Sequence, residues 1–323
     1  MRFVALFAAF LLLDPQQPQQ PQQPQLAVTM QRVADEVVIE VGPVDIPARG
    51  EGSVPSFPAA RVAIPTDGWF RGYRVEVVDR DGVALPDDVV KVDVLSLAER
   101  ELFSPIALRV AAIAPGVPSA QLPRIVGYRA VRGDTLIVAA QYHGGDGRRW
   151  EGVRARIRFP FVSKSAFIGA FRIQPFSLDV TPPGESHVYD LPVGRSEQYW
   201  EGRPAVAVRI LGFGGFIKKY AVLLKLEDRT TSKVIWEHHA DTTAKGGVNP
   251  IPVTRYLWSM GRGLEPGHTY RLTAVYNNRS GAVVRDGGAG AIGGVVRVRG
   301  DGSWPRVDPY DSIYVRDLRA MMK

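Results

Sequence analysis

Five histidines, His143, His187, His238, His239 and His268, are the only imidazoles in the chain, and no cysteine accompanies them. Imidazole can ligate a metal or move a proton, but either task needs neighbours of the right type at the right spacing. His238 and His239 are consecutive, and consecutive side chains on a strand point to opposite faces, so the pair does not converge on one ion. His268 lies in a Pro-Gly-His turn and reads as exposed, while His187, in Ser186-His187-Val188-Tyr189, has no second ligand two residues on. An unrecognised redox or hydrolytic site would have to draw on Tyr142, His143, Asp146, His238 and His239. Zero cysteine removes disulfides, thiol nucleophiles, cysteine-bound zinc and cysteine-bound iron–sulfur clusters together.

Gly288 to Gly293 spells Gly-x-Gly-x-x-Gly. Dinucleotide binding needs a strand before that motif and a helix after it, so that the helix N-terminus meets the pyrophosphate. Here a turn precedes and the strand-like run Gly294 to Val298 follows, so the segment reads as a glycine-rich turn. The chain has no Gly-x-Ser-x-Gly elbow, no Walker loop and no His-Glu-x-x-His. Asn278-Arg279-Ser280 is a formal glycosylation sequon, meaningful only in a eukaryotic secretory host.

A different chemistry lies in Val153-Arg154-Ala155-Arg156-Ile157-Arg158-Phe159. Period-two alternation turns the apolar residues to a core and sets Arg154, Arg156 and Arg158 on the other face. Arg297 and Arg299 repeat the arrangement, Lys218 and Lys219 add charge, and the net charge is +7. Such a face suits an anionic polymer or a lipid surface; a solubilising coat of arginine on an exposed sheet is the plainer reading.

The elements that carry these residues are strands. The 323 residues, 45% apolar, suffice for two domains, and the 33 glycines and 25 prolines punctuate short β-branched and aromatic runs. The expected architecture is all-β: two jelly-roll or β-sandwich lobes packed side by side. Residues 1–13 read as a signal-peptide-like segment, because Phe3 to Leu13 is an unbroken apolar run too short to span a bilayer. Asp14-Pro15 follows without an A-x-A site, so the cleavage position stays open. Residues 14–25 are a Pro/Gln-rich linker, read as an extended tether. Residues 26–163 form the N-terminal sandwich, 164–175 a linker, 176–299 the C-terminal sandwich and 300–323 a polar tail whose last dozen residues suit a short helix. Leu97 to Ala111 reads as a short helical or irregular excursion between strands. The expected location is outside the cytoplasm: periplasmic, envelope-associated or secreted. Nucleic acid is not an expected partner there.

Several segments carry a likeness to a known family: Arg100-Glu101-Leu102-Phe103-Ser104-Pro105-Ile106-Ala107 and Ile137 to His143 in the first lobe. In the second they are Leu211-Gly212-Phe213-Gly214-Gly215, Tyr220 to Asp228, Pro252-Val253 and Tyr270 to Gly294. With these segments the body from about Pro65 to Val298 resembles the copper type II, ascorbate-dependent monooxygenases, the peptidylglycine α-hydroxylating class and its bacterial relatives. That resemblance implies one copper per jelly roll, the first on a His-His pair and a later histidine, the second on His-x-His and a later methionine. Imidazole suits copper in both oxidation states, and thioether sulfur favours Cu(I). At the His-x-His position this chain has Phe216-Ile217-Lys218, at the methionine position Ala289, and near the His-His pair Val90-Lys91; only His143 matches a ligand position. Lys218, when protonated, would repel a metal cation. The resemblance thus implies a fold without its reaction: a pseudoenzyme with no catalytic residue and no cofactor, copper being disfavoured, that binds or builds. The competing expectations are a redox or hydrolytic enzyme with an unrecognised site around His143, an oxidoreductase of monooxygenase type being the form the resemblance implies, and a polyanion or membrane-surface binder through Arg154, Arg156, Arg158, Arg297 and Arg299.

Overall fold

The computed structural model describes residues 25–48, 51–86, 89–113, 120–123, 126–143, 148–163, 171–241, 247–256, 261–300 and 302–321. The expected signal segment, and the tether except for Gln25, lie outside them. No helix among the described residues is long and apolar enough to cross a membrane.

The first lobe carries β1 (Val28–Val33), β2 (Glu36–Ile46), β3 (Ala60–Ala63), β4 (Gly68–Phe70), β5 (Gly72–Val78) and β6 (Val90–Arg100). It continues with β7 (Ala107–Ile113), β8 (Ala120–Gln121), β9 (Val126–Ala130), β10 (Thr135–Tyr142), β11 (Trp150–Ser163) and β12 (Phe171–Arg172). One sheet runs β1-β2-β11-β4-β9-β12, with β5 on β11 and β8 on β5; the other runs β3-β10-β6-β7. Alternation decides which side chains meet. Val37, Ile39 and Val41 of β2 and Val153, Ala155, Ile157 and Phe159 of β11 are buried, in a register that pairs Ile157 with Ile39 and Phe159 with Val37. Val90, Val92 and Val94 of β6 with Leu136 and Val138 of β10 complete that core.

The second lobe carries β13 (Gln174–Asp179), β14 (Tyr189–Leu191), β15 (Gly194–Gly202), β16 (Val208–Ile217), β17 (Ala221–Asp228) and β18 (Lys233–His239). Then come β19 (Thr254–Arg255), β20 (Gly263–Leu264), β21 (Tyr270–Asn278), β22 (Val284–Gly288), β23 (Gly290–Val298) and the single helix among the described residues, α1 (Ser312–Met321). Sheet β13-β23-β16-β19 faces sheet β15-β21-β17-β18, with the two-stranded β14-β22 beside them. The fold is thus all-β, two sandwiches side by side, joined through one continuous apolar core.

The glycine motif departs from its reading as a turn. Gly288 ends β22, and Gly290 to Val298 form β23. Strands pass so closely there that a Cβ on Gly294 would collide with the Gly212 carbonyl oxygen. Glycine serves close backbone approach rather than a bend.

Leu97 to Ala111 is likewise not a helical excursion. Strand β6 runs on to Arg100, and after a tight turn β7 begins at Ala107. That turn is a plug driven into the second lobe. Leu102 and Phe103 are buried; the Phe103 ring centroid is 6.2 Å from that of Tyr270 and 6.5 Å from that of Phe176. Ala205 N donates to Leu102 O at 2.8 Å.

The C-terminal segment is more than a polar tail, and it returns to the first lobe. Trp304 Nε1 donates to Arg100 O at 2.9 Å, and Val307 N to Ala98 O at 3.3 Å. Asp311 caps α1, accepting from Ile313 N at 2.8 Å and Tyr314 N at 3.2 Å. Tyr314, Val315 and Leu318 then cover Ala59, Leu95, Ala107 and Ile137 on the outer face of β3-β10-β6-β7. Within the expected linker 164–175, residues 164–170 are outside the described set, β12 pairs in parallel with β9, and β13 already belongs to the second lobe.

Candidate functional site

The positions singled out by the monooxygenase resemblance fall in two places. His143, just after β10, is exposed, and its backbone N donates to Val89 O at 2.9 Å. Asp146 lies outside the described residues. Val90 is in the core, and Lys91, on the opposite face, lies 3.4 Å from Asp93. The Tyr142 hydroxyl is buried without a partner among the described residues, and burial pushes its pKa up. Among the described residues no group of three His, Asp or Glu side chains is close enough to hold a metal ion.

Phe216, Lys218 and Ala289 do come together. Antiparallel pairing of β16 with β23 sets Phe216 beside Ala291 and Ile217 beside Gly290. The Tyr276 hydroxyl of β21 fills the point between them. It accepts from Lys218 N at 3.1 Å and from Ala289 N at 3.1 Å, and donates to Ala289 O. Burial raises the Tyr276 pKa, against the lowering effect of those two amides. Lys218 Nζ turns aside to Asp286 O at 2.8 Å, and partial burial pulls its pKa below the lysine norm. A neutral phenol with its donor and both acceptor positions used, beside an amine and a methyl group, does not fit copper.

The arginine face is already occupied by its own neighbours. Arg156 lies 2.6 Å from Glu40 and 3.7 Å from Glu76; Arg158 lies 2.5 Å from Glu76 and 3.7 Å from Glu36. Arg154 lies 3.9 Å from Glu40, and Arg74 adds a 2.6 Å pair with Glu36. Three carboxylates thus interleave with four guanidiniums. Arg299 pairs with Glu265, and the Arg297 guanidinium sits 4.7 Å from the centre of the Phe171 ring. The two sets therefore form no common cationic strip. Arg154→Ala together with Arg158→Ala is expected to leave retention on a heparin column unchanged and to cost at most about 1 kcal/mol per exposed pair. Earlier elution of the variant would show that these arginines hold a polyanion.

The remaining histidines are engaged or open. His268 Nδ1 is 2.7 Å from Asp228, His238 stacks on Trp236 with centroids 6.1 Å apart, and His239 is exposed. Asn278 of the sequon is buried, its amide donating to Leu191 O and Ala282 O, so the folded chain does not present it. A groove of about 370 Å³ beside the first lobe is lined by Pro43, Asp45, Arg80, Glu151, Gly152 and Arg154. Its charges are self-satisfied: Arg80 pairs with Glu151, and Asp45 accepts from Gly152 N at 2.7 Å.

A second charge cluster lies at the seam of the lobes, and sequence reasoning missed it. Glu101, 1% exposed, accepts from Arg109 N at 2.8 Å and, across the seam, from Ser177 N at 3.0 Å and Ser177 Oγ at 2.9 Å. Burial lifts its pKa despite those bonds. Arg109 Nε is 2.9 Å from Asp93 Oδ1. Burial works to raise the Asp93 pKa, but Arg109 and Lys91 overcome it and hold it low. His187 Nδ1, on the second lobe, lies 3.0 Å from Asp179 Oδ2, whose other oxygen accepts from Thr181 N and Oγ1. Asp317 of α1 completes the cluster, within Coulombic reach of His187, Arg109 and Asp93. One signal was present: Asp93 stands inside the valine-rich run Val89 to Val94, where strands disfavour aspartate.

No protein-family model and no curated protein matches the chain. Among solved structures, PNGF-II in a C2 crystal form aligns with 87% of this chain and 62% of its own, at 9% identity and TM-score 0.34. The infectious bursal disease virus Gx strain aligns with 88% of this chain and 74% of its own, at 9% identity and TM-score 0.21. The T13 particle of that virus gives 87%, 69%, 7% and 0.21 in the same order. The chain therefore spans under two thirds of the first of these.

Proposed function

We propose that the chain is an exported, non-catalytic protein whose two β-sandwiches form one rigid binding or structural body, on a scaffold of monooxygenase type that has lost its reaction. The observation that carries this reading is the Tyr276 hydroxyl, seated between Lys218 and Ala289 and bonded to two backbone amides and a carbonyl. Copper-dependent oxygen activation on a scaffold of this type needs an ion held by several imidazole or thioether donors, and this point is spent on hydrogen bonds that tie three strands together. The apolar run Phe3 to Leu13, followed by the Pro/Gln tether, supports export of the folded body.

Elemental analysis of the purified chain, incubated with Cu(I) and then desalted, tests the reading. Copper far below one equivalent is the expected result, because structural metal sites bind tightly enough to survive desalting. One equivalent or more, lost on changing His143 to alanine, would overturn it.

A further inference from the structure

Helix α1 docks on the first lobe with apolar side chains, yet it carries one carboxylate into the interface. Asp317 is 8% exposed, and among the described residues no hydrogen-bond or ion-pair partner meets it. Its surroundings come from every element packed there. Asp93 of β6, Arg109 of β7, His187 of the second lobe and Arg316 of its own helix all act on its charge from Coulombic range. Arg316 also fastens α1 to the second lobe, donating to Pro183 O at 2.9 Å. Tyr314, one turn earlier, seals the apolar side of the contact and lies near Arg61. A largely buried acid with no ion-pair partner among the described residues is more easily kept neutral than an exposed one.

We propose that α1 is a pH-gated latch across the lobe seam, closed while the Asp317 carboxyl holds its proton and loosened when it ionises. Burial raises the Asp317 pKa, and Asp93 adds to the rise; His187, Arg109 and Arg316 oppose it without cancelling it. The docked helix therefore binds this proton more tightly than the released helix. Its stabilisation is complete below the ordinary aspartate range and is lost as pH climbs through the raised value. Asp93 has the opposite sign: its pKa is lowered, so its contribution fades as pH falls below the ordinary range. Asp93 owes its lowered value to Arg109 and Lys91 of the sheet, so its titration acts on the first lobe and not on the latch. Opening it would bare the apolar strip of Ala59, Leu95, Ala107 and Ile137.

Hydrogen exchange of the full chain, corrected for the intrinsic rate at each pH, reads the latch directly. Protection of the amides of residues 312–321 is expected to fall several-fold as pH climbs from the ordinary aspartate range through the raised value. Protection of β16 in the second lobe should stay flat. In Asp317→Asn, which keeps the shape and cannot ionise, the α1 fall should vanish; Asp317→Leu should behave alike if the amide disturbs folding. A flat wild-type profile, the same fall in both variants, or an equal fall in β16 each overturns the proposal.

Discussion

Phe103→Ala should lower the unfolding free energy by about 3–5 kcal/mol, the usual cost of emptying a fully packed aromatic site. Phe103 belongs to the first lobe by sequence, but its ring lies against Phe176 and Tyr270 of the second. Removing it leaves a void that neither sandwich can close alone, because each is held by its own ladder of strands. The effect should go beyond stability. With the plug in place the two cores are continuous, and they are expected to melt together. Without it, calorimetry should resolve two transitions or one broadened well beyond two-state width. A single sharp transition with a loss below about 1 kcal/mol would mean that the lobes are coupled elsewhere.

Tyr276→Phe should cost about 2–4 kcal/mol although only one oxygen is removed, since each buried group left unbonded costs about 1–3 kcal/mol. The hydroxyl serves Lys218 N, Ala289 N and Ala289 O at once, so the variant orphans two donors and an acceptor. Tyr189 supplies the control. Its ring stands edge-on to Tyr276 with centroids 6.2 Å apart, and its buried hydroxyl has no partner among the described residues. Tyr189→Phe should therefore be neutral or mildly stabilising in urea denaturation. Equal losses from the two variants would show that the Tyr276 hydroxyl bonds contribute nothing beyond packing.

Strand content was legible because period-two patterning reports burial directly. Val153 to Phe159 read as one apolar face, and that face is the core of the first lobe. The Leu97 to Ala111 segment was misread because Leu102 and Phe103 are satisfied by the other lobe, a contact that no local pattern announces. The three arginines of β11 were visible, but their partners Glu36, Glu40 and Glu76 come from two other strands, so only registry reveals the pairing. Asp179 and Asp317 looked like ordinary polar residues. They gather with Asp93 only once β7 and β13 lie edge to edge and α1 folds back.

That return of α1 to the first lobe also orders events during synthesis. The first sandwich leaves the ribosome long before the helix that shields its outer sheet, and domains generally begin folding in that N-to-C order. Until translation passes residue 318, the nascent body displays Leu95 and Ile137 to whatever chaperone or membrane stands nearby. A premature stop codon only a few codons upstream of α1 would leave both sandwiches drawn in full and that surface uncovered for good, a product suited to recognition by quality-control proteases.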